Sequence, residues 1–244
     1  MQTAARRRPR VLDLFCCAGG AGMGYHRAGF DVVGVDIRPR PRYPFEFIQG
    51  DALDVMRELC QEFHLVHASP PCQAHTALTK GTNAGREYVD LIPAMRELCK
   101  WYGVPWVKDL TLCGESFGLG VLRHRHFEIE WFGDEPVQMP HPKHRGKVRG
   151  WRHGVWQDGP YIAAYGKGGG KGSVAEMQAA MDITWTDVHE ELTEAIPPAY
   201  TQYIGEQFLK TWATPRPEPI PAIIAPYLTQ DADGRLISTA ALRA

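Results

Sequence analysis

Long apolar runs are missing from this 244-residue chain, and no stretch reaches the length of a bilayer-spanning helix. No excess of either charge sign is present: the formal net charge is −1, so a nucleic-acid binder is not marked by global charge, and basic residues must be read locally. The six cysteines include no Cys-x-x-Cys pair, and Cys16 and Cys17 are adjacent. That spacing argues against a disulfide framework or a zinc site and points to a reducing cytoplasm. Met1 to Arg10 carries four arginines without a following apolar segment, so it does not read as a secretory signal. Internal repeats are lacking too. At 44% hydrophobic residues, the chain can bury one full core.

What is there is an alternation. Val11 to Phe15 is a short apolar strand running into a glycine cluster, with a helix over Gly22 to Ala28 stopped by Gly29. Asp31 to Asp36 is a second strand, and Phe45 to Asp51 and His64 to Ser69 are two more, separated by the helical pattern Ala52 to Phe63. Tyr88 to Tyr102 is amphipathic, and Trp106 to Cys113 and His126 to Phe132 are extended. Strands alternating with helices predict an α/β fold with a parallel sheet covered on both faces and ligands at the carboxyl ends of its strands.

The texture changes after Gly133. Pro140 to Gly172 holds seven basic residues against one acid, interleaved with glycines and aromatics. Lys143, Arg145, Lys147, Arg149 and Arg152 are its candidate phosphate contacts, and an ordinary solvated basic loop has the same composition. Ser173 to Glu176 and Asp187 to Glu190 read as capping boxes, and Pro197-Pro198 opens a helix carrying Tyr200, Ile204, Phe208 and Trp212 inward. Thr214 to Pro226 is proline-rich, and Tyr227-Leu228 and Leu236-Ile237 form a candidate hairpin.

Two sequences carry the chemistry. Asp13-Leu14-Phe15-Cys16-Cys17-Ala18-Gly19-Gly20 joins a strand to a helix whose first N–H groups suit an anionic or carboxylate-bearing ligand. Its spacing is not the Gly-x-Gly-x-x-Gly of dinucleotide folds. Asp36 and Asp51 end the next two strands, where a carboxylate can accept from ribose hydroxyls or an adenine amino group. Ser69-Pro70-Pro71-Cys72-Gln73 presents a cysteine on a proline-restricted loop beyond another strand. A buried cysteine after a Pro-Pro turn is the structural alternative. His124 and His126 alternate with Arg123 and Arg125 and lack a third ligand at useful spacing, so no metal is expected there.

In this order and separation the two sequences resemble the DNA (cytosine-5)-methyltransferase family, most closely the short solitary methylases of bacteriophages and prophages. The resemblance covers most of residues 11–132 and 186–210. It implies a Rossmann-like S-adenosylmethionine-binding domain over 1–132 and 186–213, a small inserted target-recognition lobe over 133–185, and a proline-rich tail over 214–244. It implies a cytoplasmic, monomeric enzyme, in a bacterial or phage-infected cell, acting on double-stranded DNA without metal or membrane. Cys72 would add to C6 of a flipped cytosine so that C5 takes the donor's methyl group. Arg125 would donate to the cytosine O2, and Arg123 would orient the cysteine loop. Phe15, Gly19, Gly20, Asp36, Asp51 and Pro71 would hold the donor, with Ala195 and Ile196 from a closing Ala-Ile-Pro-Pro turn.

The chain departs from the family pattern at four points. Cys17 replaces the first loop glycine, Val121 a glutamine and Glu194 an asparagine. The Glu-Asn-Val triplet is also absent, so that either Lys108 overlays the glutamate or a short stretch is missing after Val107. Asp109 and Glu115 are the candidate substitutes for that glutamate. Alternatives to DNA methylation are RNA cytosine methylation, transfer of a group larger than methyl, and a DNA-binding homologue that has lost its chemistry.

Overall fold

A computed structural model describes residues 8–71, 89–102, 110–127, 139, 141–152, 154–165, 171–211, 228–230 and 236–238. Its centre is a sheet with the order β4-β1-β2-β3-β10-β9. β1 (Arg10–Leu14), β2 (Asp31–Asp36), β3 (Glu46–Gln49) and β4 (Leu65–Ala68) run parallel. The chain starts in the middle, steps outward through β2 to β3, then crosses back to lay β4 on the other side of β1. That reversal makes the gap between the carboxyl ends of β1 and β4 a topological switch point, where open α/β sheets bind ligands.

Both sheet faces are buried, which is why the strands read as nearly continuous apolar runs. Leu12, Leu14, Val33, Val35 and Ile48 face a core shared with α2 (Ala52–Leu59) and α3 (Ile92–Tyr102). Val11, Val32 and Leu65 face the other way, onto Tyr25 of α1 (Gly20–Ala28) and Tyr200 and Ile204 of α6 (Pro198–Thr211). α1 and α6 touch almost backbone to backbone. A Cβ on Gly20 would lie 2.1 Å from the Ile196 carbonyl oxygen, and one on Gly24 would lie 2.1 Å from that of Pro198. Thr201 Oγ1 donates to the Ala21 carbonyl across this contact at 2.8 Å.

β5 (Leu110–Leu112) and β6 (Arg125–Phe127) form an antiparallel pair, and β7 (Gly150–Arg152) and β8 (Val155–Gln157) a second one. α4 (Val174–Met181) opens with the Ser173–Glu176 capping box that the sequence predicts. α5 (His189–Glu194) does not use one: Val188 is its N-cap without a side-chain bond, and Asp187 lies 3.4 Å from Arg42 instead. Thr186 takes over locally, accepting from Val188 N–H and donating to the Glu191 carboxylate. Met177 and Met181 of α4 and Ile183 pack with Ala18 and Ala195 in one cluster. Met177, Met181 and Ile183, within the 133–185 region, thus belong to this cluster, while the β7–β8 ribbon exposes Trp151, Val155 and Trp156. The candidate hairpin strands form as β9 (Leu228–Gln230) and β10 (Leu236–Ser238), an antiparallel pair whose second strand extends the sheet beside β3, while Thr214 to Pro226 lies outside the described residues. Among the described residues no helix is long and apolar enough to cross a membrane.

Candidate functional site

The carboxyl ends of β1, β2 and β3 gather the expected donor-binding residues. Phe15 and Cys17 leave β1 with positive φ angles of 58° and 47°. This left-handed backbone is costly for any residue except glycine. Glycine at position 17 would adopt this backbone without that cost. Gly19 is the left-handed N-cap of α1, with φ 79°, and its N–H closes the loop onto the Cys16 carbonyl at 2.8 Å. α1 therefore starts at Gly20, two residues before the predicted Gly22.

Asp36 is buried at the end of β2 and already engaged. Its Oδ1 accepts from Arg38 N–H at 2.9 Å, and its Oδ2 accepts from Cys17 N–H at 3.1 Å and pairs with Arg40 at 2.9 Å. A carboxylate offers about four acceptor positions, so one on Oδ1 remains for a ribose hydroxyl. Asp51 is the N-cap of α2, and its Oδ1 accepts from both Leu53 and Asp54 N–H groups, leaving Oδ2 for a ligand. These two acids follow adjacent strands, each with acceptor capacity left over.

Beneath the loop lies a feature the sequence reading missed. Asp13 in β1 is completely buried and accepts from Tyr43 Oη at 3.1 Å and from Gly22 N–H in the first turn of α1. The helix start is thus partly occupied by an internal acid. Tyr43 reaches it through a slot that only glycines leave open: a Cβ at Gly19, Gly22 or Gly34 would lie within 2.8 Å of its side chain. Burial, against the Tyr43 hydrogen bond, raises the Asp13 carboxyl to about 7. On β4, His67 is buried between Tyr25 Oη (3.1 Å) and Ser69 Oγ (2.8 Å), and burial lowers it to about 4. A neutral imidazole therefore props the start of the Ser69-Pro70-Pro71 loop. Pro71 is exposed at the tip, and Cys72 lies outside the described residues, as do Lys108 and Asp109.

The Ala195–Ile196 turn lies against the start of α1. Ala195 is buried, and Ile196 presses its carbonyl on Gly20. Cys17 Sγ lies 3.5 Å from Glu194 Oε2, so two of the departures from the family pattern face each other. Burial, with that carboxylate beside it, pushes the Cys17 thiol up to about 12, so it stays protonated. Arg123 is the clamp that holds this turn. Its guanidinium donates to the carbonyls of Ala195 (2.9 Å), Thr193 (2.7 Å) and Ala164. Arg125 begins β6 and donates to the His124 carbonyl at 3.1 Å. Any contact of Arg123 with the Cys72 loop falls on residues outside those described.

Two of the five basic candidates are committed elsewhere. Arg145 donates through N and Nε to Glu115 Oε1 at 3.1 and 2.6 Å, and Arg149 pairs with Glu176 at 2.6 Å, bracing α4. Tyr161 and Arg145 lower the Glu115 carboxyl to about 2, and Arg145 engages its Oε1. Lys143 and Lys147 are exposed, and the Arg152 side chain lies outside the description. Beside them the β7–β8 ribbon exposes Trp151, Val155 and Trp156, the two indoles in edge contact at 5.6 Å.

The expectation that His124 lacks further ligands is corrected by the fold. His141 and His144, seventeen and twenty residues on, meet it together with Cys113, whereas His126 turns to Thr111. The signal in the sequence was His141-Pro142-Lys143-His144, a spacing suited to two ligands on one turn.

No protein-family model matches the chain. A protein of Methanocaldococcus jannaschii, provisionally named a ribosomal RNA large subunit methyltransferase, is 32% identical over 99 residues, which is 34% of this chain. The chain spans about a quarter (25%) of that relative's length. Over a third of its length, then, this α/β chain is similar to a methyltransferase, and its four parallel strands are compatible with a Rossmann-like methyltransferase fold.

Proposed function

We propose that the protein is a DNA (cytosine-5)-methyltransferase that takes its methyl group from S-adenosylmethionine and uses Cys72 as nucleophile. The observation that carries this reading is the strand order. It brings the Phe15–Gly20 loop after β1 and the Ser69-Pro70-Pro71 loop after β4 to one switch point, with Asp36 and Asp51 beside it. Phe15, Asp36 and Asp51 serve the nucleoside end of the donor, and the Ala195–Ile196 turn backs the loop. In the reaction the Cys72 thiolate adds to C6 of a flipped cytosine, and the electron pair gained at C5 takes the methyl group from the sulfonium. Loss of the C5 proton to water then expels the thiolate from C6. In this reading Arg125 stabilises charge on the base.

The nucleic-acid side of the proposal rests on the ribbon. Lys143 and Lys147 contact phosphates, and Trp151 and Trp156 offer aromatic faces to bases. Replacing both lysines with alanine is expected to weaken duplex binding and lower the salt slope by about two, about one per lysine. An unchanged slope in a binding titration across salt concentrations removes these residues from the interface. Arg149 is unsuitable for this test, because its loss would also unbrace α4.

A second reading is methylation of cytosine in RNA, which the same thiol chemistry would serve; the Methanocaldococcus jannaschii relative is named for a ribosomal RNA substrate. Mass spectrometry of nucleosides from duplex DNA and from ribosomal RNA, each incubated with protein and S-adenosylmethionine, separates the two. The expected result is 5-methyldeoxycytidine from DNA, abolished in Cys72→Ser. Product from RNA alone transfers the proposal to RNA. No product from either, with DNA binding intact, leaves a binding protein and ends the enzymatic reading.

A further inference from the structure

We infer that Cys113, His124, His141 and His144 form a structural zinc site that pins the basic segment to the β5–β6 pair. One donor atom from each residue lies within 4.8 Å of every other. His124 Nε2 and His141 Nε2 approach to 2.7 Å, and their rings stack at 4.8 Å. Cys113 Sγ lies 3.6 Å from His144 Nε2. Tetrahedral zinc with Zn–S near 2.3 Å and Zn–N near 2.0 Å sets a sulfur–nitrogen edge of about 3.5 Å and a nitrogen–nitrogen edge of about 3.3 Å. The first edge is already in place. The second opens as the cation enters and relieves the close approach of two nitrogens.

The cluster is assembled by the fold around it. The antiparallel register sets Leu112 opposite Arg125, which brings Cys113 and His124 side by side at the end of the ladder. Gly114 locks that turn, because its N–H donates to the Leu122 carbonyl at 2.7 Å and a Cβ would lie 2.0 Å from the Val121 oxygen. From the other side, the Glu115–Arg145 ion pair fixes the backbone one residue past His144. The thiol is buried, whereas the three imidazoles are exposed and could each turn to water. Instead all four donors converge.

The donor chemistry selects the metal. One thiolate and three imidazoles, with no carboxylate, favour zinc over magnesium or calcium. Four protein ligands close the coordination sphere, as in structural rather than hydrolytic sites. On binding, the Cys113 proton passes to solvent and the sulfur–zinc bond forms. The site is independent of the methyltransferase reading, so the failure of either leaves the other standing.

The test uses the full chain, stripped with a chelator and titrated with cobalt(II) alone, then zinc(II). One equivalent of cobalt should give the intense visible bands of a tetrahedral site and a thiolate-to-cobalt charge-transfer band, both erased by one equivalent of zinc. Cys113→Ser should lose the charge-transfer band, and His144→Ala should weaken metal binding at least about a hundredfold. His126→Ala should match the wild type. The double variant His141→Ala/His144→Ala alters only exposed side chains, so it covers the case in which Cys113→Ser does not fold. It should abolish the zinc-induced rise in melting temperature. A wild type that binds no stoichiometric metal, an octahedral cobalt spectrum, or bands that survive in Cys113→Ser or the double variant would overturn the site.

Discussion

Replacing Arg123 with alanine is expected to destabilise the fold by about 3–5 kcal/mol, because three carbonyls lose their donor at about 1–3 kcal/mol each. Arg123 is placed by a backbone with φ 32°, and its side chain spends three donors on the carbonyls of Thr193, Ala195 and Ala164. Burial, and then the charge of Arg125, push its pKa down to about 9, so it remains a cation at neutral pH. Truncation leaves buried acceptors without donors, each costing about 1–3 kcal/mol. Lysine restores charge but not the fork that reaches carbonyls in three directions, so Arg123→Lys should recover only part of the loss. Urea unfolding measures the stability. Calorimetric titration with S-adenosylmethionine reports the second consequence, since the clamped turn is what seats on Gly20. Under the proposed function, donor affinity should fall even at temperatures where the variant is folded. A variant as stable as the wild type would mean that the three carbonyls find water, and the clamp would be dispensable.

Asp13→Asn should expose a pH dependence that the wild type conceals. Asp13 is raised from 3.8 to about 7 by burial, so its contribution to stability is fully present below 3.8 and is lost as pH rises through about 7. The amount is on the order of 4 kcal/mol. His67, on the neighbouring strand in register with Asp13, behaves oppositely. Its lowering from 6.5 to about 4 gives stability that is present above 6.5 and is lost as pH falls through about 4, on the order of 3 kcal/mol. Between about 4 and 6.5 the two slopes oppose, and the wild type should be nearly flat. Asp13→Asn leaves the histidine slope, so stability should climb with pH. His67→Gln leaves the aspartate slope, so it should decline. Urea midpoints at intervals across this window decide the matter, and an Asp13→Asn curve parallel to the wild type would refute the assignment.

How much of this was legible in the sequence depended on distance along the chain. The Asp31–Asp36 strand and the Ser173–Glu176 cap were read correctly because their determinants are local: an apolar run ended by an acid, and a reciprocal pair three residues apart. The Asp187–Glu190 pattern looked the same and failed, because Asp187 lies toward Arg42 and Thr186 supplies the local bonds. The basic segment was read as uniformly available, yet Arg145 and Arg149 are bound to carboxylates 30 and 27 residues away, which no local pattern reveals. The same holds for the Asp13–Tyr43 bond beneath the loop and for the Cys113–histidine cluster, both made by tertiary contact.

The pairing of β10 with β3, and of α6 with α1, has a consequence for biosynthesis. The first half of the sheet leaves the ribosome with the β3 edge unpaired and the glycine face of α1 uncovered, and both wait for residues 198–238. Such widely separated contacts slow folding, and an open strand edge invites association with other chains meanwhile. Nascent chains stalled before α6 should therefore depend on chaperones and resist proteases poorly, and emergence of residues 198–238 should convert them together into a protected state.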